Sequence, residues 1–317
     1  MIEQSSRMAE DQTRLSAHDR DVVDLLVEAG HWAVQAGDER IEPEHVDQAL
    51  AERRERVGRI QRQSLELIQR GVLLIATEGS RIGQVNGLSV LQIGRYAFGR
   101  PGRITATTTP GRGSVVDIER EVELGGPIHS KGVMILSRYI SSRYGGDAPL
   151  SLSASLAFEQ SYGGIDGDSA SVAETCALLS SLARAPLLQS LAVTGSINQY
   201  GDVQAIGGVN EKVEGFFDVC AHCGGIDGRG VILPASNVEH LMLRADVRAA
   251  VAAQRFRLYA VHHVDEALAL LTGETAGEAD AAGRFPTGTV NRRVVDRLAG
   301  FARTLRRHSD DDNGSTA

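Results

Sequence analysis

The sequence predicts an α+β fold, with a helical segment over residues 15–70 followed by a mixed domain over residues 71–273. Three observations carry this. Residues Leu15 to about Arg70 keep a helical apolar rhythm. Leu150, Leu152, Ala154, Leu156 and Phe158 alternate with Ser151, Ser153 and Ser155, the two-residue period of a strand. Strand-like runs and helices punctuated by glycine or proline then follow one another as far as Gly273.

The elements follow in chain order. Residues 1–14 are polar and are expected to be disordered. Asp21 to Ala29 carries a helical stripe that stops at Gly30 or Gly37. Pro43 in a first turn announces a second helix, with Val46, Ala49 and Leu50 on one face, continuing through the charged run Glu52–Arg62 as a solvated surface. Strand signals begin with Val72–Ile75 and Gln84–Val90. Val116, Ile118, Val122 and Leu124 alternate with Asp117, Glu119, Glu121 and Glu123, which reads as a half-buried strand. Gly126–Tyr144 reads as an amphipathic helix. After the strand at 150–158 come a turn at Ser169, a helix stopped by Pro186, and a strand Leu191–Thr194. A helix containing Lys212, a strand Val231–Leu233, a further helix, a strand Phe256–Val261 and a short helix Asp265–Leu271 complete the domain. Residues 274–317 read as a linker, a basic amphipathic helix Val290–Arg307, and a disordered acidic tail from Ser309 to Ala317.

Composition narrows the function. A net charge of -8 and a pI near 5.6 argue against nucleic-acid or anionic-membrane partners, which need a basic face. No apolar stretch approaches the ~18 residues of a membrane span, and the polar N-terminus is not a secretory signal. Three cysteines make no disulfide framework, so a cytoplasmic location is expected. No Gly-x-x-x-x-Gly-Lys-Ser/Thr loop occurs, which excludes an ordinary P-loop ATPase within this chain.

Of 33 basic residues only two, Lys131 and Lys212, are lysines. An ammonium can lose its proton when desolvated, whereas a guanidinium cannot. Lys212 follows the glycine turn Gly207-Gly208 and is flanked by Val203, Ala205, Ile206, Val209, Val213 and Phe216. Forty-three residues upstream, Gly167-Asp168-Ser169-Ala170-Ser171 also leads into a helix, and Ser171–Glu174 matches a capping box. A serine hydroxyl needs a base to become a nucleophile, and a neutral lysine is one. Taken alone, the Gly-Asp-Ser turn fits a helix cap better than a nucleophile, and the lysine fits a surface charge better than a base. Cys220-Ala221-His222-Cys223 falls at helical spacing without a second pair, and structural helix residues fit it better than a metal or redox site. His262-His263 has no neighbouring ligands in sequence.

The stretch from Phe158 through Gly167-Asp168-Ser169-Ala170-Ser171 resembles the nucleophile motif of Lon proteases, in its B-type form. Thr194-Gly195-Ser196-Ile197 and Gly201 through Gly207-Gly208-Val209-Asn210-Glu211-Lys212 resemble the family's lysine motif. Gln84–Val90 and Asp117–Glu121 look like a bacterial Lon-like subgroup, and the similarity covers Leu15 to about Gly273. The resemblance implies a Lon-type proteolytic domain preceded by the end of a small helical AAA+ lid. It implies a serine endopeptidase acting on protein and peptide substrates, with Ser169 as nucleophile and Lys212 as general base. Thr194 would orient the lysine amine. Asp166 matches an acidic position near the dyad and Asp168 fits either that role or a cap, while Glu159 and Glu119 are weaker candidates for the same neighbourhood. It also implies a homo-hexamer. No cofactor or metal is expected in this chain; ATP and magnesium would act only through an ATPase module that is missing or separate, so the chain is either a fragment or a form without its own motor. The competing readings are a Lon-like domain serving only as an assembly module, and an enzyme inactive until it joins an ATPase subunit.

Overall fold

A computed structural model describes residues 1–94, 96–111, 113–145 and 150–314, with side chains as far as Arg307. The N-terminal part is helical: α1 (Ile2–Ala9), α2 (Asp19–Ala36), α3 (Pro43–Val57) and α4 (Arg59–Gln69). Residues 2–9, expected to be disordered, are held by a tertiary contact. The Arg7 guanidinium donates to both carboxylate oxygens of Glu214 (2.5 and 2.8 Å) and to the Met242 carbonyl (2.8 Å). Leu25 and Ala29 of α2 pack on Val46 and Ala49 of α3 to make a small separate core. Gly37, at φ 82°, ends α2 in the left-handed conformation that favours glycine. The helix expected to run on through Arg62 breaks at Gly58, where α3 ends and α4 begins.

The mixed domain follows: β1 (Ser80–Arg81), β2 (Gln84–Ile93), β3 (Tyr96–Pro110), β4 (Ser114–Asp117), α5 (Ile118–Glu121), α6 (Pro127–Tyr144), β5 (Leu152–Glu159), α7 (Ser171–Ala183), β6 (Leu187–Leu188), β7 (Leu191–Val193), β8 (Ser196–Ile197), β9 (Val203–Gln204), α8 (Val209–His222), β10 (Arg229–Pro234), α9 (Ala245–Ala252), β11 (Phe256–Val261), α10 (Val264–Thr272) and α11 (Val290–Gly314). Seven strands form one sheet in the order β11-β10-β7-β2-β3-β5-β4. From β11 to β2 the neighbours are parallel; β2, β3 and β5 are antiparallel, and β4 closes the edge parallel to β5. The central strands are buried on both faces. Val193 and Ile232 join the core beneath α6, α7, α10 and α11, while Ala192, Val231 and Leu233 join a second core beneath α8 and α9. This two-sided burial is why these short strands read as continuous apolar runs rather than alternating ones.

Several local expectations change. Val72–Ile75 is not a strand but a connection held by Gln160, whose amide accepts from Leu74 N (2.7 Å) and donates to Val72 O (2.8 Å). The alternating run 116–124 is strand only to Asp117 and then turns into α5. Its polarity is inverted: Asp117 and Glu119 are buried, while Val116, Ile118 and Val122 are exposed. The final helix packs Val290, Val294, Leu298 and Phe301 into the core and runs past Arg307 to Gly314, since no glycine or proline interrupts residues 301–313. Of the expected tail, residues 315–317 lie outside the described residues. No helix among the described residues is long and apolar enough to cross a membrane.

Candidate active site

Ser169 lies at the end of the β5–α7 connection, two residues before α7 begins. Lys212 occupies the first turn of α8, whose start is set by Gly208 at φ 66°. That helix lies directly against β3. A Cβ on Gly99 would sit 1.9 Å from the Glu211 carbonyl oxygen, and one on Gly215 would sit 2.2 Å from the Gly99 oxygen. Two glycines facing each other therefore allow the contact that fixes the height of Lys212 over the sheet.

The 43-residue gap closes to a hydrogen bond: Lys212 Nζ donates to Ser169 Oγ at 2.8 Å. The lysine is 3% exposed. Burial lowers its ammonium to about 8 from its ordinary 10.5, against the upward pull of Asp168, Glu10 and Glu211. A substantial neutral fraction near physiological pH is therefore compatible with its position.

The segment after β7 grips the serine loop. Thr194 Oγ1 (3.2 Å) and Gly195 N (2.8 Å) both donate to the Ser169 carbonyl. Val172 N returns a bond to Gly195 O (3.1 Å), and Ile197 N donates to Ser171 Oγ (3.0 Å). Thr194 thus orients the serine's backbone; its hydroxyl is not on the lysine amine that the resemblance assigned to it. Asp168 accepts from Ser196 Oγ (2.8 Å) and is the foremost carboxylate drawing the lysine's ammonium upward. Asp166 does something else. Its Oδ1 accepts from Ile128 N (3.0 Å) and His129 N (3.2 Å), capping α6. The Gly167 N–H and these two amides hold its carboxyl below the usual range.

The predicted capping box at Ser171–Glu174 does not form, because Ser171 is already helical and Glu174 turns into the core. Glu159 accepts from Thr105 Oγ1 (2.8 Å) on β3, and Glu119 from Phe158 N (2.8 Å); neither bonds the lysine. Cys220 is buried in α8, where burial pushes its thiol up to about 12, the behaviour of an inert core cysteine. His263 caps α10 by accepting from Asp265 N. Sequence reasoning missed Ser196 and Gly195 as supports for the serine loop; they stand beside Thr194 in the quoted motif, but nothing in the pattern says which way they face.

Residues 75–273 match the family profile described as Lon protease (S16) C-terminal proteolytic domain. The chain belongs to the Lon protease family. Residues 1–56 match the archaeal LonB AAA+ ATPase lid domain, so the lid similarity starts at the first residue and includes α1. Among curated relatives, a putative Lon protease homolog of Escherichia coli (strain K12) is 45% identical over 230 residues, 72% of this chain and 39% of the relative. A putative Lon protease homolog of Haemophilus influenzae is 42% identical over 235 residues, 74% and 39% of the two chains. An archaeal Lon protease of Pyrococcus abyssi is 28% identical over 280 residues, covering 84% of this chain and 25% of that one. The Lon-type chain thus spans about two-fifths of its bacterial relatives or less.

Proposed function

We propose that this chain is the proteolytic part of a Lon-type serine endopeptidase, acting on protein and peptide substrates through Ser169 and Lys212. The observation that carries this reading is the 2.8 Å bond from a nearly buried lysine amine to the serine hydroxyl. The neutral amine removes the Ser169 proton as Oγ attacks the peptide carbonyl. The resulting ammonium returns that proton to the leaving amine, and water, activated by the same lysine, hydrolyses the acyl-enzyme. Thr194 and Gly195 hold the serine carbonyl, so that Oγ keeps its aim. Asp168, fixed by Ser196, stabilises the ammonium that forms in the first step.

In this reading the active unit is a homo-hexamer in the cytoplasm. ATP and magnesium act through an AAA+ module to which the lid belongs, and that module supplies any unfolding of stable substrates. Cleavage of casein or a fluorogenic peptide, with and without ATP, beside Ser169→Ala and Lys212→Ala, tests the proposal. Both substitutions should lower kcat about 10³-fold or more. Cleavage that survives Ser169→Ala would overturn it, and absence of cleavage by the native chain under every condition would favour an assembly role.

A further inference from the structure

A second group of ionisable side chains is buried away from the Ser169–Lys212 pair. Asp117 ends β4, Glu119 lies in α5, His129 in the first turn of α6 and Glu174 in the first turn of α7. All four are between 1 and 4% exposed. One ligand atom from each of Asp117, Glu119 and His129 lies within 4.8 Å of the others. His129 Nε2 is 3.2 Å from Asp117 Oδ2 and 3.9 Å from Glu174 Oε1. Glu119 Oε1 is taken by Phe158 N. Both oxygens of Asp117, Oε2 of Glu119, Oε1 of Glu174 and Nε2 of His129 have no aligned hydrogen-bond partner.

Buried polar atoms are ordinarily paired; apart from the 3.2 Å contact between His129 Nε2 and Asp117 Oδ2, these carboxylate oxygens have no aligned partner, and that calls for a missing one. Charge makes the same demand. With all three carboxyls ionised the group stays net negative even when the ring is protonated; with no cation bound, burial instead raises Glu119 and pushes Glu174 up to about 7, so that protons take the place a cation would fill. The donor set is one imidazole nitrogen with carboxylate oxygens. It suits a zinc- or manganese-type ion, whereas calcium takes six to eight oxygens and magnesium keeps several waters. We propose that Asp117, Glu119, His129 and Glu174 form a structural binding site for a divalent first-row transition-metal cation. Ligands at about 2.1 Å from a metal stand roughly 3.4 Å apart in a tetrahedral site, so binding draws these side chains inward by on the order of 1 Å.

The position gives the cation a task. It joins the β4–α5 corner, α6 and α7. The α7 helix carries the serine loop at its start, and the first turn of α6 donates to Asp166 three residues before Ser169. The cation would clamp both ends of the nucleophile loop without touching substrate, so these four are positioning residues. This site is independent of the dyad chemistry, and its test does not use peptidase activity.

The test measures metal content of the full chain by mass spectrometry after dialysis, and thermal unfolding with EDTA and with added Zn²⁺, Mn²⁺ or Mg²⁺. The expected result is about one zinc or manganese per chain, a Tm lowered by EDTA, and recovery with Zn²⁺ or Mn²⁺ but not Mg²⁺. Glu119→Gln and Glu174→Gln keep side-chain shape and remove a ligand charge. Each should weaken cation binding by more than the ~10–100-fold typical of losing an outer-shell partner. Native protein that holds no cation and ignores EDTA and added metal would overturn the site and leave protons as the neutralising charge. Equal metal content in native protein and both variants would overturn it as well. Cobalt substitution settles the ligands even if the variants fail to fold, because a thiolate charge-transfer band would assign the metal to the cysteines instead.

Discussion

Lys212 is the residue on which the chemistry turns, and its environment fixes a pH dependence. Burial lowers its ammonium to about 8, so the amine is mostly protonated at pH 6 and mostly neutral at pH 9. Peptidase activity should therefore rise about tenfold per pH unit below 8 and level off above it. A flat profile from pH 6 to 9 would remove the lysine from the role of base. Lys212→Arg should lose activity about 10³-fold or more, because a guanidinium stays charged throughout. The same depression has a stability consequence. In the unfolded chain the lysine holds its proton up to about 10.5, so below pH 8 both states are charged and the folded state bears the full desolvation cost. That cost is at most about 3 kcal/mol, and loss of the bond to Ser169 offsets about 1 kcal/mol of any gain from removing it. Lys212→Met should thus stabilise the protein by about 2 kcal/mol at pH 6, with the gain fading between pH 8 and 10.5; urea unfolding at pH 6 and 10 reads this.

At the scale of elements, the closest fit in the molecule is α8 on β3. Gly215→Ala would place a methyl 2.2 Å from the Gly99 oxygen, so either the strand bends or the helix lifts. Overpacking of this kind costs about 1–3 kcal/mol, and a lift of the helix also moves Lys212 away from Ser169. Urea midpoint and peptide cleavage should fall together; a variant that loses stability but keeps its kcat would show that the helix contact does not set the lysine's height. The sequence made much of this architecture legible, and for identifiable reasons. Leu152, Ala154 and Leu156 alternate because β5 has one buried face, and the Ser169 and Lys212 motifs lie at loop-to-helix junctions where side chains can converge. What stayed hidden was direction. Residues 116–122 have a strand's rhythm, but Asp117 and Glu119 face inward toward His129, which no periodicity can reveal. Ser171 and Glu174 have a cap's spacing, yet each finds a tertiary partner or environment instead.

For the whole molecule, the question is how the lid part and the proteolytic part act on each other. The α1 helix has too little apolar surface to announce itself, and it is held by Arg7 on α8, the helix that carries Lys212. The guanidinium grips Glu214 through both oxygens and reaches Glu211 at 3.5 Å, one residue before the lysine. Glu211 is one of the charges drawing the lysine's ammonium upward, and Arg7 partly neutralises it. Arg7→Ala should therefore have two effects. Loss of a bidentate bond to a buried carboxylate costs about 1.5–3 kcal/mol. With Glu211 uncompensated, the lysine's ammonium moves up, and the pH midpoint of peptide cleavage moves up with it. A contact that only fastens the lid would lower Tm and leave that midpoint at about 8. The two measurements together show whether the first helix merely docks on the proteolytic domain or also sets the proton affinity of its base.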